Sequence, residues 1–266
     1  MSERRTANGN KPSRGQIDEE AEFHDRRFRY GHQVAGRLER WIVSLSPSMP
    51  NLKGRLLTAL GQIEGKQICE LGCGGGGLTR ELAIRGAHVS ASDISAEALS
   101  LTRERNKEFI PGQLDVQQMD ASNLTYNDQS FDLVVGVSIL HHIDISKAAI
   151  EVSRVLKPGG KAVFIEPLVH NPISNMWRRL SPSARTQAER PLSYSEIAEM
   201  GRHFRTVHCQ EFALLTLLSS FVYLITHSHK AKTRSAELLS RFEPAFLKIC
   251  VPLRRYSGAI LIEFTK

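Results

Sequence analysis

Glycines followed by an acid in the first half of the chain have the types and the spacing that would bind a nucleotide-like ligand. Four consecutive glycines, Gly74 to Gly77, exclude a regular element and suit a turn in which the backbone approaches a ligand. A helix that starts at this turn would offer its N-terminus to an anionic group. Further along, a short apolar run ends on Asp93, whose carboxylate could accept hydrogen bonds from ribose hydroxyls. A glycine-rich turn without a ligand is the structural alternative.

The elements that would position these groups follow from the hydrophobic pattern. Apolar runs of strand length predict strands at residues 67–71, 88–92, 114–119, 131–135, 161–165, 205–211 and 258–265. Helical spacing predicts crossover helices between them, and the one at 193–200 begins with a capping box. Residues 157–160 are predicted to form a tight turn. Strand, glycine turn, helix, strand and acid together indicate the nucleotide-binding half of a doubly wound α/β sheet.

Two ligand fingerprints overlap on the glycines. Gly72, Gly74 and Gly77 satisfy G-x-G-x-x-G, the dinucleotide fingerprint. The same stretch also reads E-x-G-x-G-x-G from Glu70 to Gly76, which resembles the first motif of class I S-adenosylmethionine (SAM) methyltransferases. The glycines alone therefore leave both NAD and SAM open.

Six segments in sequence order extend this resemblance over about residues 60–167. They are ELGCGGG at 70–76, SASD at 90–93, QMDASNL at 118–124, FDLVV at 131–135, LHHI at 140–143 and LKPGGKAVFIEP at 156–167. They resemble the successive motifs of small-molecule class I methyltransferases, and are similar to the subclass that contains ubiquinone and menaquinone biosynthesis enzymes. The resemblance implies SAM as cofactor and a Rossmann-like, seven-stranded, mostly parallel sheet with its last strand antiparallel at the edge. An NAD(P)-binding oxidoreductase or a SAM-binding protein without catalytic activity are the alternatives.

The resemblance also implies roles for individual residues. The glycine turn would pass beneath the methionine part of SAM, Asp93 would bind the ribose, and Asp120 would bind the adenine amino group beside Ala121. Ser138 and the loop at 141–142 would lie next to the sulfonium. The full set of expected cofactor residues is Glu70, Leu71, Gly72, Cys73, Gly74, Gly76, Asp93, Ile94, Asp120, Ala121, Val137, Ser138 and His142.

Three side chains are candidate general bases: His142, Glu166 and His170. A hydroxyl or carbon acceptor must lose a proton when it is methylated, and histidine or a carboxylate can accept it. For His142 a structural role in orienting its loop is the favoured alternative. Glu166 could likewise be a structural hydrogen-bonding group at the end of a central strand.

The positive charge of the chain is concentrated in its second half. The formal net charge is +7, and residues 170–266 carry 14 basic and 7 acidic side chains. Nucleic acid is not expected as a partner, because the basic residues are not interleaved with aromatic ones. Two segments instead suit an anionic, partly apolar small molecule: an arginine-dense loop at 178–190 and an apolar segment at 212–225. The alternatives are that the loop is a solvated surface and that the apolar segment is a core helix. The expected substrate residues are Tyr30, Arg179 and Arg185.

The pattern divides the chain into four segments. We expect a disordered leader at 1–18, a helical cap at 19–65 that could close the site, a SAM-binding core at 66–167, and a region at 168–266 that completes the same domain. The apolar segment at 212–225 is too short to span a bilayer, so membrane contact would be peripheral. No signal peptide is apparent, and the oligomeric state stays open.

Four cysteines, Cys69, Cys73, Cys209 and Cys250, form no C-x-x-C pair. They are typical of reduced thiols in a cytoplasmic protein. No histidine pattern accompanies them, so we expect no metal site.

Overall fold

The computed structural model describes residues 14–30, 49–109, 112–180 and 190–266. Its centre is a seven-stranded sheet with the order β3-β2-β1-β4-β5-β7-β6. The strands are β1 (Gln67–Leu71), β2 (His88–Asp93), β3 (Leu114–Gln118), β4 (Phe131–Val137), β5 (Leu156–Pro167), β6 (Thr206–Phe212) and β7 (Ala259–Thr265). Strands β1 to β5 pair in parallel, whereas β7 pairs antiparallel with both β5 and β6. The predicted seven-stranded, mostly parallel sheet is confirmed.

Nine α-helices surround the sheet in the described part of the chain. They are α1 (Arg14–Tyr30), α2 (Leu52–Leu60), α3 (Gly77–Ile84), α4 (Ala96–Arg105), α5 (Ile145–Val155), α6 (Pro172–Leu180), α7 (Tyr194–Gly201), α8 (Ser219–Thr226) and α9 (His229–Ile249). Short 3₁₀ helices span Leu140–His142, Leu215–Leu218 and Val251–Tyr256. Residues after 168 supply β6 and β7, so they complete the same sheet.

Helix starts follow the local sequence. Ser95 caps α4 by accepting the N–H of Ala98, and Ser193 caps α7 by accepting the N–H of Glu196. The Glu196 carboxylate in turn accepts the N–H of Ser193 at 2.8 Å, which confirms the predicted capping box. These caps fix where each crossover helix begins relative to the strand before it.

Strands β4 and β5, near the centre of the sheet, carry apolar side chains on both faces, because helices cover both faces of the sheet. Val134 and Phe164 pack in one core with α5, while Val135 and Val163 pack on the opposite face with α2 and α3. All four side chains are fully buried. This rigid centre fixes the carboxyl ends of β1, β2 and β4, from which the functional loops extend.

One predicted segment boundary differs from the structure. Helix α1 begins at Arg14, so residues 14–18 of the expected leader are helical, while residues 1–13 lie outside the described residues. The expected helical cap is described at α1 and α2, but residues 31–48 of it lie outside the described residues. The composition of residues 14–18 did not predict a helix, because these residues resemble in composition those of a disordered segment.

Two predictions about the sheet were wrong in detail. β7 lies between β5 and β6, so the outermost strand is β6 and not the last strand of the chain. Residues 157–160 are part of β5 and not a separate turn, and they form an irregular stretch in which Gly159 has φ 76° and the register with β4 shifts. The glycines permit this bulge because one of them adopts a positive φ.

The segment at 212–225 is not a single helix. Phe212 ends β6, Ala213 has φ 62°, and a 3₁₀ helix then precedes α8. The buried carboxylate of Glu243 on α9 accepts the N–H groups of residues 213, 214 and 215 at 2.8, 2.6 and 2.7 Å. This side chain therefore satisfies the donors at the bend and fixes α9 against the end of β6.

Candidate active site

The glycine turn after β1 requires glycine at specific positions. Gly72 and Gly76 have φ 67° and 71°, in the left-handed region. A Cβ at Gly72 would lie 2.9 Å from the Ile139 side chain, and one at Gly76 would lie 2.8 Å from the Thr102 hydroxyl. Thr102 also donates to the carbonyl of Gly74 at 2.7 Å, which ties the turn to α4.

Asp93 lies at the end of β2 and faces this turn. One carboxylate oxygen accepts the N–H of Gly74 at 2.9 Å, and the other accepts the N–H of Ser95 at 2.9 Å. Each carboxylate oxygen can accept more than one hydrogen bond, so Asp93 retains acceptor capacity toward a ligand. Its orientation is fixed before any ligand arrives.

A cavity of about 540 Å³ opens beside Asp93 at the carboxyl ends of β1, β2 and β4. This size falls within the range of small-molecule sites. The structure brings together at its wall eight of the thirteen expected cofactor residues: Gly72, Gly74, Asp93, Ile94, Ala121, Val137, Ser138 and His142.

The other five expected cofactor residues do not line the cavity. Asp120 follows β3 and holds the N–H and hydroxyl of Ser122 at 2.8 and 2.6 Å through one carboxylate oxygen, while Met119 and Ala121 beside it reach the wall. The remaining four belong to the end of β1 or to the turn itself without reaching the cavity wall: Glu70, Leu71, Cys73 and Gly76. Sequence spacing located the turn correctly, but it could not separate the residues that face the cavity from those that support it.

The backbone after β4 is strained where it meets the cavity. Ser138 has φ 56°, which is uncommon for a residue with a side chain, and its N–H donates to the carbonyl of Ile165 at 2.8 Å. Strain of this kind persists only where surrounding structure imposes it, and it is concentrated at functional sites.

Glu166 holds the loop that follows. It is fully buried, and one carboxylate oxygen accepts the N–H groups of Ile139 and Leu140 at 2.9 and 2.8 Å. The other oxygen lies 2.6 Å from Nδ1 of His141. Glu166 does not line the cavity, so its geometry supports the structural alternative over a general base.

His170, the third candidate base, is placed away from the cavity. It is exposed, stacks on Tyr194 with ring centroids 6.4 Å apart, and is not among the lining residues. The sequence suggested it only through its closeness to the end of β5, and its exposed side chain does not reach the cavity wall.

His142 lines the cavity beside two groups of α1 that the sequence analysis missed. Its Nδ1 lies 2.5 Å from a carboxylate oxygen of Glu20, and Nε2 of His24 lies 3.3 Å from the same oxygen. Glu20 is buried, and the His24 and His142 rings meet edge to face with centroids 5.3 Å apart. The cavity wall therefore holds a carboxylate with two imidazoles.

Helix α1 forms the roof of the cavity. Its Asp25 accepts the hydroxyl of Ser95 at 2.5 Å and the N–H of Glu97 at 3.1 Å, and its Phe28 lies over the glycine turn. A Cβ at Gly74 would lie 3.3 Å from the Phe28 ring. The expected helical cap thus contacts the site through α1.

The expected substrate residues differ in outcome. Arg179 is exposed and does not line the cavity, whereas its neighbour Arg178 does, together with Arg27 of α1. Arg185 lies outside the described residues, and Tyr30 is the last residue of α1. Residues 212–225 do not line this cavity either.

One group of side chains could hold a metal ion. The potential ligand atoms of Glu20, His24 and His142 all lie within 4.8 Å of one another. Carboxylate and imidazole suit several divalent cations. No metal is expected from the sequence, and that stays a prediction.

The cysteines offer no such site in the described part of the chain. All four are free thiols, and burial raises the pKa of Cys69 and of Cys73. A buried thiol with a raised pKa is protonated at neutral pH and makes a poor nucleophile or ligand.

Glu70 should make the stability of the chain depend on pH. Burial raises its pKa to about 8, and the nearby Asp93 charge adds to the effect. Because the folded pKa lies above the ordinary glutamate value of 4.5, stability is lost as pH rises between 4.5 and about 8. The limiting slope for one such group is about 1.4 kcal/mol per pH unit. We expect Glu70→Gln to remove this slope from melting curves recorded without ligand.

The exposed Glu64 provides the matched control. Glu64→Gln should retain the dependence of the wild-type chain. Identical slopes for the wild type and Glu70→Gln would show that Glu70 is ionised in the folded state.

Residues 69–164 match a family described as a methyltransferase domain. A ubiquinone biosynthesis O-methyltransferase from Alkalilimnicola ehrlichii is 35% identical over 123 residues, covering 44% of this chain and 48% of that protein. A phthiotriol/phenolphthiotriol dimycocerosates methyltransferase from Mycobacterium tuberculosis is 35% identical over 129 residues, covering 47% of this chain and 46% of that protein. The chain spans about half the length of these curated relatives.

A solved structure extends the similarity of fold to almost the whole chain. The geranyl diphosphate C-methyltransferase from Streptomyces coelicolor A3(2), in complex with Mg²⁺, geranyl diphosphate and S-adenosyl-L-homocysteine, superposes with a TM-score of 0.62 at 15% sequence identity. The match covers 96% of this chain and 99% of that one. At this identity the comparison shows the fold alone. None of the described helices combines the length and the apolar character needed to cross a membrane.

Proposed function

We propose that this chain, whose residues 69–164 match a methyltransferase domain, is a class I SAM-dependent methyltransferase that transfers a methyl group from SAM to a small-molecule acceptor. The observation that carries the proposal is the cavity in which the glycine turn, Asp93 and His142 meet. The first two would bind the cofactor, and the third would face the acceptor.

The residues present fit SAM. At Gly72 and Gly74 the backbone forms a cradle that a Cβ would fill, as the contacts with Ile139 and Phe28 show. Asp93 offers carboxylate oxygens for ribose hydroxyls, and Ala121 offers a small apolar wall for a flat base. Asp120 does not line the cavity, so its proposed role is to hold the backbone beside Ala121 in place through Ser122.

SAM supplies an electrophilic methyl group on a positively charged sulfur, which an acceptor atom attacks in line. The chain must hold the acceptor atom against that methyl group, and alignment alone accounts for much of the rate. In that transfer the bond from the acceptor atom to the methyl carbon would form as the methyl–sulfur bond breaks, which would give the methylated acceptor and S-adenosylhomocysteine.

A hydroxyl or carbon acceptor also releases a proton, and we assign its removal to His142. His142 lines the cavity, and the ring nitrogen of a neutral imidazole that carries no hydrogen can accept the proton. Glu20 then stabilises the imidazolium that forms, as a carboxylate does beside a catalytic histidine. Glu166 positions the loop and does not touch the acceptor.

The acceptor is proposed to be anionic and partly apolar. Arg27 and Arg178 at the cavity wall support an anionic group, because guanidinium pairs well with carboxylate or phosphate. The names of the relatives, which concern ubiquinone biosynthesis and dimycocerosates, favour a small metabolite with an apolar part. The free cysteines suit a reducing, cytoplasmic setting.

Incubation with methyl-labelled SAM and a metabolite extract tests the activity. We expect label in a small organic molecule that mass spectrometry identifies, and no label in nucleic acid. SAM binding without any labelled product would favour a non-catalytic SAM-binding protein.

A further inference from the structure

The second half of the chain carries an unusual share of exposed apolar surface. Sixteen large apolar side chains are exposed among the described residues, and thirteen of them lie after residue 170. The densest part is the region from the 3₁₀ helix at 215–218 to the one at 251–256. Soluble chains seldom expose large contiguous apolar patches unless these bind a partner or a membrane.

The outer side of α9 organises this surface. Leu238, Phe242 and Ile249 are spaced by four and seven residues, so they lie on one side of the helix. Their exposed fractions are 55%, 63% and 82%. We call these three residues the apolar stripe of α9.

The orientation of α9 is fixed by its opposite side. Ala236, Glu243 and Leu247 are buried, and the Glu243 carboxylate accepts three backbone N–H groups at the end of β6. The apolar stripe therefore cannot turn inward without breaking these bonds. Helix α8, which packs against α9, adds the exposed Phe221, Leu224 and Ile225.

A row of basic side chains runs along the apolar stripe. Arg234, Arg241 and Lys248 are exposed and spaced by seven residues, which places them on an adjacent line of the same helix. Residues 215–256 contain seven basic and two acidic side chains, and one of the two acids, Glu243, is buried. Apolar and basic rows side by side are typical of helices that lie in the interface of an anionic membrane.

This surface lies at the edge of the sheet where the cavity opens. Phe212 at the end of β6 and Pro167 at the end of β5 both pair with Ala259, and Pro167 lines the cavity. The side chain of Asn171, just before α6, donates to the carbonyl of Tyr256 at 2.6 Å, which joins the 3₁₀ helix at 251–256 to the element that carries Arg178.

We propose that α8 and α9 dock the chain on the surface of an anionic lipid bilayer, with the apolar stripe entering the headgroup region and the basic row contacting the headgroups. Docking does not depend on the proposed methyl transfer, but it would bring the cavity edge close to a membrane-resident acceptor. A second copy of the chain is the less suitable occupant, because a symmetric contact through this face would oppose like charges.

Cosedimentation of the full chain with vesicles tests this proposal. We expect binding to vesicles that contain phosphatidylglycerol and much weaker binding to vesicles of phosphatidylcholine alone, with loss at high salt. The double variant Phe242→Ser with Ile249→Ser should reduce binding more than about tenfold. Each alanine replacement of Arg234, Arg241 or Lys248 should reduce it about fivefold.

The matched control is Ile84→Ser with Ile150→Ser, which removes two apolar side chains that are similarly exposed elsewhere. It should bind vesicles as the wild type does. Unchanged melting temperature and SAM affinity in the Phe242 and Ile249 variant would confirm that the fold is intact. Failure of the wild type to bind anionic vesicles, or equal loss in the control, would overturn the proposal. A dimer that the same double variant dissociates, without vesicle binding, would overturn it in favour of self-association.

Discussion

Asp93→Ala is expected to weaken SAM binding by about 10- to 150-fold, as the loss of hydrogen bonds to a charged carboxylate implies. The carboxylate would bind the ribose hydroxyls, and it also orders the turn through the N–H groups of Gly74 and Ser95. Alanine removes both effects, since the side chain no longer reaches ligand or turn. Asp93→Asn should lose less, because its amide oxygen can still accept one of these bonds.

Titration calorimetry with SAM measures this effect. Asp115→Ala is the matched control, because Asp115 is an exposed aspartate on the neighbouring strand β3. It should bind SAM as the wild type does. Equal affinity of the Asp93→Ala variant and the wild type would remove Asp93 from the site.

His142→Ala is expected to lower kcat by about 10² to 10⁴, the usual range for loss of a general base. The prediction applies to acceptors that lose a proton from oxygen or carbon. SAM affinity should change far less than turnover, because the proton is accepted only during transfer. Glu20→Gln should give a smaller loss, since it leaves His142 in place without the adjacent negative charge.

Turnover under saturating SAM checks this, with His203→Ala as the control for an exposed histidine. That variant should turn over normally. Full activity in both His142→Ala and Glu20→Gln would mean that the chain catalyses transfer by alignment alone. A loss that is restored by added divalent cation would instead point to metal binding by Glu20, His24 and His142.

Features encoded locally could be predicted from the sequence. The turn after β1 was recognised because glycine is needed where φ is positive, and the acid at the end of β2 because parallel strands end at one edge of the sheet. Both features depend on residues within about one βαβ unit. The order of the motifs then indicated the remaining parallel strands.

Contacts between distant parts of the chain could not be predicted in this way. Glu20 meets His142 only because α1 crosses the carboxyl edge of the sheet and is held by Ser95 and Glu97. No pattern near Glu20 distinguishes it from its acidic neighbours at positions 18 and 19. The insertion of β7 between β5 and β6 is likewise a property of the whole sheet.

The positions of the two arginines on a helix explain why Arg179, and not Arg178, was predicted from the sequence as a substrate residue. The arginines were assigned to a loop, in which neighbouring side chains have no fixed directions, but they belong to the last turn of α6. Successive residues of a helix point about 100° apart, so one of the two faces the cavity and the other faces solvent. The role of Glu166 could not be predicted from the sequence for a similar reason. Only the folded structure reveals that both of its carboxylate oxygens contact the loop at 139–141.

Titration calorimetry of the wild-type chain with SAM, S-adenosylhomocysteine and NAD tests the central claim most directly. The cavity, with its glycine turn and Asp93, predicts saturable binding of SAM and S-adenosylhomocysteine at one site per chain, with mutual competition and no heat from NAD. Binding of NAD without binding of SAM or S-adenosylhomocysteine would contradict the claim. It would instead support the interpretation of Gly72, Gly74 and Gly77 as a dinucleotide-binding motif.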